Sequence, residues 1–361
     1  MRILVAMSGG VDSSVVAARL AEQGHEVIGA TLQLYDQRGS DARKGACCAG
    51  RDIQDARRVA ERIGFAHYVI DAEARFRESV IDSFAASYAA GETPVPCVQC
   101  NRGVKFTDLL GLARDLGAEA MATGHYVRRV DTGDGIELHR PLDEGRDQSW
   151  FLFATTRDQL DYLRFPLGDM PDKNAVRAEA ARLGLLVADK PDSQDLCFVP
   201  GNNASYADMV EKLRPEIAGE GEIVDQAGRV LGLHQGIARY TTGQTKRLGD
   251  AAMIDGARQQ VVHVEPVTRR IVVGPRAGAG RRSLRLRDMN WLIAPPEQAS
   301  LRCMVQLRAR EATRPASIRA TADGADVLLD DDALPAPGQA CVLYDGSRVL
   351  GGGFIRRADA A

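Results

Sequence analysis

Ile3-Leu4-Val5-Ala6-Met7-Ser8-Gly9-Gly10-Val11-Asp12-Ser13-Ser14 is the stretch from which the rest of the chain can be read. The apolar run Ile3 to Ala6 has the character of a buried strand, and Val11 to Leu20 carries apolar residues at helical spacing. Between them two glycines let the backbone approach an anion closely. The hydroxyls of Ser8, Ser13 and Ser14 can donate, and the helix N-terminus presents unpaired N–H groups with a favourable dipole. The stretch reads as a phosphate loop. A Gly-rich strand-to-helix turn capped by Asp12 or Ser13 is the plainer alternative.

The kind of phosphate loop decides the chemistry. There is no G-x-x-x-x-G-K-[ST], so no lysine is placed for the terminal phosphates, and there is no G-x-G-x-x-G. The string S-G-G-V-D-S-S resembles instead the loop of the pyrophosphate-loop (PP-loop) ATP pyrophosphatases, which join AMP to a carbonyl oxygen and release pyrophosphate.

Composition bounds the rest. The 361 residues suffice for two or three domains of an ordinary soluble globular protein. No stretch reads as a membrane span or a cleavable leader, so a cytoplasmic protein with no membrane partner is expected. The seven cysteines, at 47, 48, 97, 100, 197, 303 and 341, are an odd number in a chain too large for a disulfide mini-scaffold, so reduced thiols are the default. The net charge of -3 gives no global sign of nucleic-acid binding. Between Val267 and Ala320, however, twelve arginines face three acids, a local excess of the kind that neutralises phosphates or merely solvates a β domain.

From the loop to about residue 125 strands and helices alternate. Strands are expected at Glu26 to Leu34, His67 to Ile70 and Ala118 to Thr123, and helices at Arg51 to Ile63, Ala74 to Ala90 and Asn101 to Leu116. This is the rhythm of an α/β doubly wound parallel sheet, in which ligands sit beyond the strand carboxyl ends. Ser8 to Ser14 and Gly124-His125 can therefore meet around one nucleotide. Arg146-Asp147-Gln148-Ser149 suits a strand or loop across the site mouth, with a helix cap as the alternative. From about Gly201 turn residues and short alternating runs take over. The expected domains are 1–200, the nucleotide-binding unit, then 201–274, a small β-rich unit, and 275–361, an antiparallel barrel or sandwich.

Three cysteines bear on the chemistry. Pro94 and Pro96 keep Thr93 to Asn101 out of a helix and deliver Cys97-Val98-Gln99-Cys100 at the start of the next one, where the helix dipole favours thiolate. A zinc site using Cys47, Cys48, Cys97 and Cys100 is an alternative. Cys197 follows a polar loop beside Phe198 and by itself reads as a buried structural thiol. An adenylating loop combined with paired cysteines suits activation of a carbonyl followed by attack of sulfur on carbon. A uracil carbonyl carbon is a poor electrophile with a poor leaving group. Transfer of AMP to its oxygen corrects both faults, and a persulfide sulfur can then displace AMP.

Taken in order, these marks resemble the tRNA-specific 2-thiouridylases of the MnmA family. They are S-G-G-V-D-S-S, Cys47-Cys48, Thr93-Pro94, Cys100-Asn101, Lys105-Phe106, Gly124-His125-Tyr126, Asp147-Gln148-Ser149, Asp192-Ser193-Gln194, Cys197-Phe198, Tyr344-Asp345-Gly346 and Gly351-Gly352-Gly353. The resemblance implies an adenine nucleotide alpha hydrolase-like fold with two β-rich domains behind it. It also implies ATP with Mg2+, and sulfur placed on the wobble uridine of tRNA(Lys), tRNA(Glu) and tRNA(Gln) from a persulfide donor such as a cysteine desulfurase or sulfur-relay protein.

Residue by residue, the resemblance makes Ala6, Met7, Ser8, Gly9, Gly10, Val11, Asp12, Ser13, Leu32 and Gly124 the nucleotide contacts, with Asp12 counted among the catalytic groups. Cys100 becomes the nucleophile and Cys197 the persulfide carrier, a pair able to form a transient disulfide. Val95, Pro96 and Cys97 match the segment that meets the base. His125, Arg146, Asp147, Gln148, Arg308, Ala309 and Gln339 match positions that meet tRNA. Val95 stands where asparagine is common. Cys97 stands where aspartate or cysteine occurs, and with it Cys97, Cys100 and Cys197 could hold an iron–sulfur cluster. The segment Tyr240-Thr241-Thr242-Gly243-Gln244-Thr245-Lys246-Arg247 departs from the family's Y-T-I-G-Q-R-K-G and receives no role from it.

Overall fold

A computed structural model describes residues 1–35, 50–192, 197–198, 206–296 and 300–357. Cys47, Cys48, Ser193 and Gln194 lie outside the described residues. The chain divides into two compact units. One is Met1–Val80, Cys97–Gly201 and Ser347–Val349; the other is Ile81–Pro96, Asn202–Gly346 and Leu350–Ala361.

In the first unit β1 (Arg2–Ala6) runs into helix α1 (Val11–Glu22), followed by β2 (Glu26–Gln33), α2 (Gly50–Ile63), β3 (Ala66–Asp71) and β4 (Ala120–Thr123). A hairpin of β5 (Arg128–Asp131) and β6 (Ile136–His139) comes next, and the short β7 (Leu163–Arg164) completes the sheet. The sheet order is β3-β2-β1-β4-β7 with every pair parallel. Central strands of such a sheet are covered on both faces, which is why Ile3-Leu4-Val5 is continuously apolar and buried. Val15, Val16, Ala17 and Ala18 of α1 pack with Val5, Ala120 and Ala122 in one core, the alanines letting the helix sit close to the strands. From β1 the chain steps outward through β2 and β3, then returns to place β4 on the other side of β1. The topological switch point therefore lies between the carboxyl ends of β1 and β4.

Two helical readings need correction. The segment expected as one helix over Ala74 to Ala90 is Glu73–Phe76, a π turn at Arg77–Asp82, and Ser83–Ala89. The boundary between the units falls inside that π turn. Beyond it Phe84 and Tyr88 stack edge-on at 5.0 Å, and Tyr88 meets Tyr206 at 5.4 Å, all within the second unit. The second correction concerns the prolines. A helix begins at Pro96, not Asn101, and holds Cys97 and Cys100 before a π turn over Asn101–Asp108 and the helix Leu109–Asp115. Pro96 opens the helix because a first-turn N–H has no intrahelical partner to lose.

The second unit holds two β modules. One is a five-stranded sheet of β8 (Ala218–Asp225), β9 (Val230–Gly236), β10 (Met253–Ile254), β11 (Ala257–Glu265) and β12 (Arg270–Pro275), ordered β10-β11-β12-β8-β9. The other is built from β13 (Arg281–Trp291), β14 (Leu301–Gln306), β15 (Arg314–Thr321), β16 (Gly324–Ala333), β17 (Ala340–Asp345) and β18 (Arg348–Ile355). Its order is β13-β16-β15-β14-β17-β18, and β13 pairs with β18 to close an antiparallel barrel. Alternation along the strands sends Leu284, Leu286, Val305, Ile318, Val327, Leu329 and Leu343 into its core.

Candidate nucleotide and sulfur-transfer site

The phosphate loop is built as its sequence suggests. Gly9 has φ +73, and a Cβ there would stand 2.0 Å from the Asp52 carbonyl oxygen at the start of α2, so only glycine fits. Gly10, at the cap of α1, supplies no side-chain cap. Ser13 Oγ accepts from the Ser8 amide at 3.1 Å, and Ser14 Oγ donates to the Gly10 carbonyl at 2.8 Å. These two hydroxyls fold the loop, and the first amides of α1 keep their anion-binding geometry. Across the switch point a Cβ at Gly124 would come 2.9 Å from the Ser13 nitrogen, so glycine also sets the approach of the β4 end to α1.

A cleft of about 720 Å3 opens over this loop. Its wall takes in Ala6, Met7, Ser8, Gly10, Val11, Asp12, Ser13, Leu32 and Gly124 of the expected nucleotide contacts. His125, Arg146 and Gln148, expected at the tRNA, line the same cleft. Arg146 to Ser149 is not a strand: Asp147 and Gln148 form a short loop between the 3-10 turn Glu144–Arg146 and the helical turn Ser149–Leu152, and Asp147 Oδ1 accepts from the Ser149 amide at 2.8 Å. Asp147 also pairs with Arg140 at 3.0 Å, and Gln148 Oε1 accepts from the Tyr126 amide at 2.8 Å.

The charges of the cleft form shared sets that the sequence reading missed. Asp12 accepts from the Tyr126 hydroxyl at 2.7 Å and from Lys173 Nζ at 2.7 Å. Lys173, almost fully buried, also reaches Asp192 at 2.9 Å, and Asp192 pairs in turn with Arg146. Burial disfavours the charged form of Asp192, but Lys173 and Arg146 outweigh it and hold the carboxyl below its ordinary value. The Tyr126 phenol is pushed up by burial and by Asp12. Lys190 donates to Asp52 and Asp55 at 2.6 Å each and to the Gly9 carbonyl at 2.9 Å, tying the phosphate loop to α2. Burial opposes its charge, and the two carboxylates more than restore it. His125, whose Nδ1 lies 2.9 Å from Thr123 Oγ1, is pushed down to about 3 by burial and by the Lys105 charge, so its imidazole is neutral at pH 7. Tyr126 and Asp192 stood within quoted motifs, but Lys173, 161 residues from Asp12, carried no local signal.

Cys97 is exposed and Cys100 buried, both in the helix opened by Pro96. Cys197 is half-buried beside Phe198, whose ring meets Phe76 edge-on at 5.8 Å. Among the described residues no three His, Cys, Asp or Glu side chains gather as a metal site. Burial pushes the Cys303 thiol up to about 12 and raises Cys341 as well, leaving both protonated.

In the second unit Val95 is buried and Ala309 exposed. Arg308 donates to the carbonyls of Thr242 and Leu334 at 3.1 and 3.0 Å, and Gln339 Nε2 to the Thr93 carbonyl at 2.8 Å. The arginine excess is smaller than its sequence window suggests. Arg270 pairs with Glu222, Arg287 with Glu92, Arg302 with Asp330, and Arg319 with Asp326, four acids that all lie outside the window. Arg314 pairs with Glu311 inside it.

Residues 1–201 match the family described as tRNA methyl transferase HUP domain, 208–275 its PRC-barrel domain, and 281–355 the aminomethyltransferase beta-barrel domain. The chain is 69% identical to the tRNA-specific 2-thiouridylase MnmA of Gluconobacter oxydans over all of both chains. The chain belongs to the tRNA-specific 2-thiouridylase (MnmA) family. The family's Acidiphilium cryptum enzyme is 65% identical over 98% of this chain and all of its own, and that of Paracoccus denitrificans 56% over 98% and 91%. Among solved structures, a 4-thiouridine synthetase in complex with RNA and ATP aligns at 16% identity over 60% of this chain and 50% of its own, with a TM-score of 0.36. So partial a superposition carries no argument here. Among the described residues no helix is long and apolar enough to cross a membrane.

Proposed function

We propose that the protein uses ATP to place sulfur on C2 of the wobble uridine of tRNA(Lys), tRNA(Glu) and tRNA(Gln), in the cytoplasm. The uridine O2 attacks the α-phosphorus of ATP, which enters with Mg2+, and pyrophosphate leaves. Cys197, loaded by a persulfide donor such as a cysteine desulfurase or a sulfur-relay protein, then attacks C2 through its terminal sulfur, and AMP departs. The Cys100 thiolate cleaves the remaining S–S bond at Cys197 Sγ. This leaves 2-thiouridine and a Cys100–Cys197 disulfide, which an external thiol reduces for the next cycle. His125, Arg146, Asp147 and Gln148 are assigned to the RNA, with Arg308, Ala309, Gln339 and the Val95-Pro96-Cys97 segment.

The observation that carries this reading is the phosphate loop opening on a nucleotide-sized cleft, in a chain that matches 2-thiouridylases along its whole length. The test is anaerobic incubation with ATP, a persulfide donor and unmodified tRNA, followed by mass analysis of the nucleosides. The wild type yields 2-thiouridine, and Cys197→Ser yields none. Full product from Cys197→Ser would sink the proposal.

A further inference from the structure

The Tyr240-to-Arg247 segment, left without a role by sequence, is a tightly organised turn. Tyr240 donates its hydroxyl to the Arg247 carbonyl at 2.9 Å, Gln244 Oε1 accepts from the Thr241 amide at 3.2 Å, and Gln244 Nε2 donates to the Lys246 carbonyl at 2.9 Å. The Gly243 amide donates to the Val261 carbonyl at 2.7 Å and the Val261 amide to the Gln244 carbonyl at 2.8 Å, which fixes the turn to β11. Gly243 has φ +87, and a Cβ there would stand 2.8 Å from Arg308 Nη2, which donates to the next carbonyl back, that of Thr242.

What this turn presents is the Thr241 hydroxyl, and its partner is the hydroxyl of Thr93. The other polar groups of Thr93 are taken from the barrel side of the same unit. Its amide donates to the Pro337 carbonyl at 2.7 Å, and its carbonyl accepts from Gln339 Nε2 at 2.8 Å. Glu92 pairs with Arg287 at 2.7 Å, and Gly338 packs so closely that a Cβ would come 3.1 Å from the Thr93 nitrogen. The N–H, the C=O and the O–H of one residue are thus all held by the β modules. The next residues, Pro94-Val95-Pro96, have two locked φ angles and no N–H at either proline. A residue fixed at every polar group, followed by a stiff tripeptide, sets the direction in which that tripeptide leaves.

We propose that Thr241 is a positioning residue for the base-facing segment Val95-Pro96, acting through Thr93, with Gln339 holding the same residue by its carbonyl. This rests on the reading of Val95 and Pro96 given above. The Tyr240–Arg247 turn is then a brace, and the β modules set the placement of the segment that meets the target base as well as any grip on the RNA.

Thr241→Val removes the hydroxyl at constant shape. The expected result is a fall of about tenfold in kcat for thiolation, because small misplacements of a reacting geometry are costly. The Kd for tRNA stays within twofold, and hydrogen exchange in the 91–96 peptide becomes faster. Thr241→Ser restores both kcat and exchange. Thr93→Val reproduces the defect from the other side, and the double variant is no worse than either single one, since both remove one shared bond. The proposal is overturned by a Thr241→Val enzyme with unchanged kcat and exchange, by tRNA affinity lost in proportion to kcat, or by additive Thr93 and Thr241 defects. Were the wild type itself to make no 2-thiouridine, the proposed function would fall. The exchange measurements on these variants would still decide whether the brace exists.

Discussion

The nucleotide cleft and the arginine-rich barrel are both dense in charge, but they distribute it differently. At the cleft two ammonium groups are shared, Lys173 between Asp12 and Asp192, and Lys190 between Asp52 and Asp55, at sites where little of the side chain meets water. On the barrel Arg302 pairs with Asp330 and Arg319 with Asp326, one arginine to one acid, and both partners stand in solvent. Shared, half-buried charges set geometry, because removing one member leaves another uncompensated. Single exposed pairs contribute little to stability and remain available to a competing anion.

Substitutions should separate the two regions by size of effect. Gly9→Ala forces a Cβ into the Asp52 carbonyl from a left-handed backbone. It should abolish ATP-dependent pyrophosphate release and cost on the order of 3 kcal/mol in urea unfolding. Lys173→Met takes from Asp12 the ammonium that faces it, while Asp192 keeps Arg146, and should cost about 3 kcal/mol, with part recovered in the double variant with Asp12→Asn; strict additivity would mean that the charges are not coupled.

The third effect concerns pH. The imidazole of His125 is held below its unfolded value, so the unfolded chain binds the extra proton and stability falls as pH drops below about 6.5, the ordinary histidine value. Unfolding midpoints at pH 7 and pH 5 should differ, and His125→Gln should flatten that dependence. Asp192 acts at lower pH. Its carboxyl is depressed, so its contribution is complete above the ordinary aspartate range and is lost as pH falls through the lowered value.

The smallest effect is expected on the barrel, where Arg319→Ala should leave the unfolding midpoint unchanged. Exposed Arg276 and Arg310 are the better reporters of RNA there. Replacing either with alanine should reduce the slope of log Kd for tRNA against log salt by about one if it meets a phosphate. An unchanged slope would remove that arginine from the interface.

What the sequence made legible was local. The strand, the phosphate loop and α1 follow from contiguous residues, and the order of strands and helices is enough to bring Gly124 to the loop. The β-rich character of the last domain likewise shows in its short alternating runs. What escaped was non-local. Lys173 looks like an ordinary first-turn lysine until the fold brings it to Asp12, and Arg270 looks uncompensated until Glu222, 48 residues away, is beside it. Counting charge in a window assumes that partners are neighbours. Pro96 misled for a different reason, since a proline that breaks a helix interior is favoured at its first position.

Closure of the barrel by β13 against β18 has a consequence beyond packing. An open sheet ends in rows of unpaired amides and carbonyls, a template for any extended chain that drifts past. A closed one has no such rows. What the barrel wall can offer a long polyanion is side chains alone, so it can be remodelled residue by residue without risk of recruiting a stray strand.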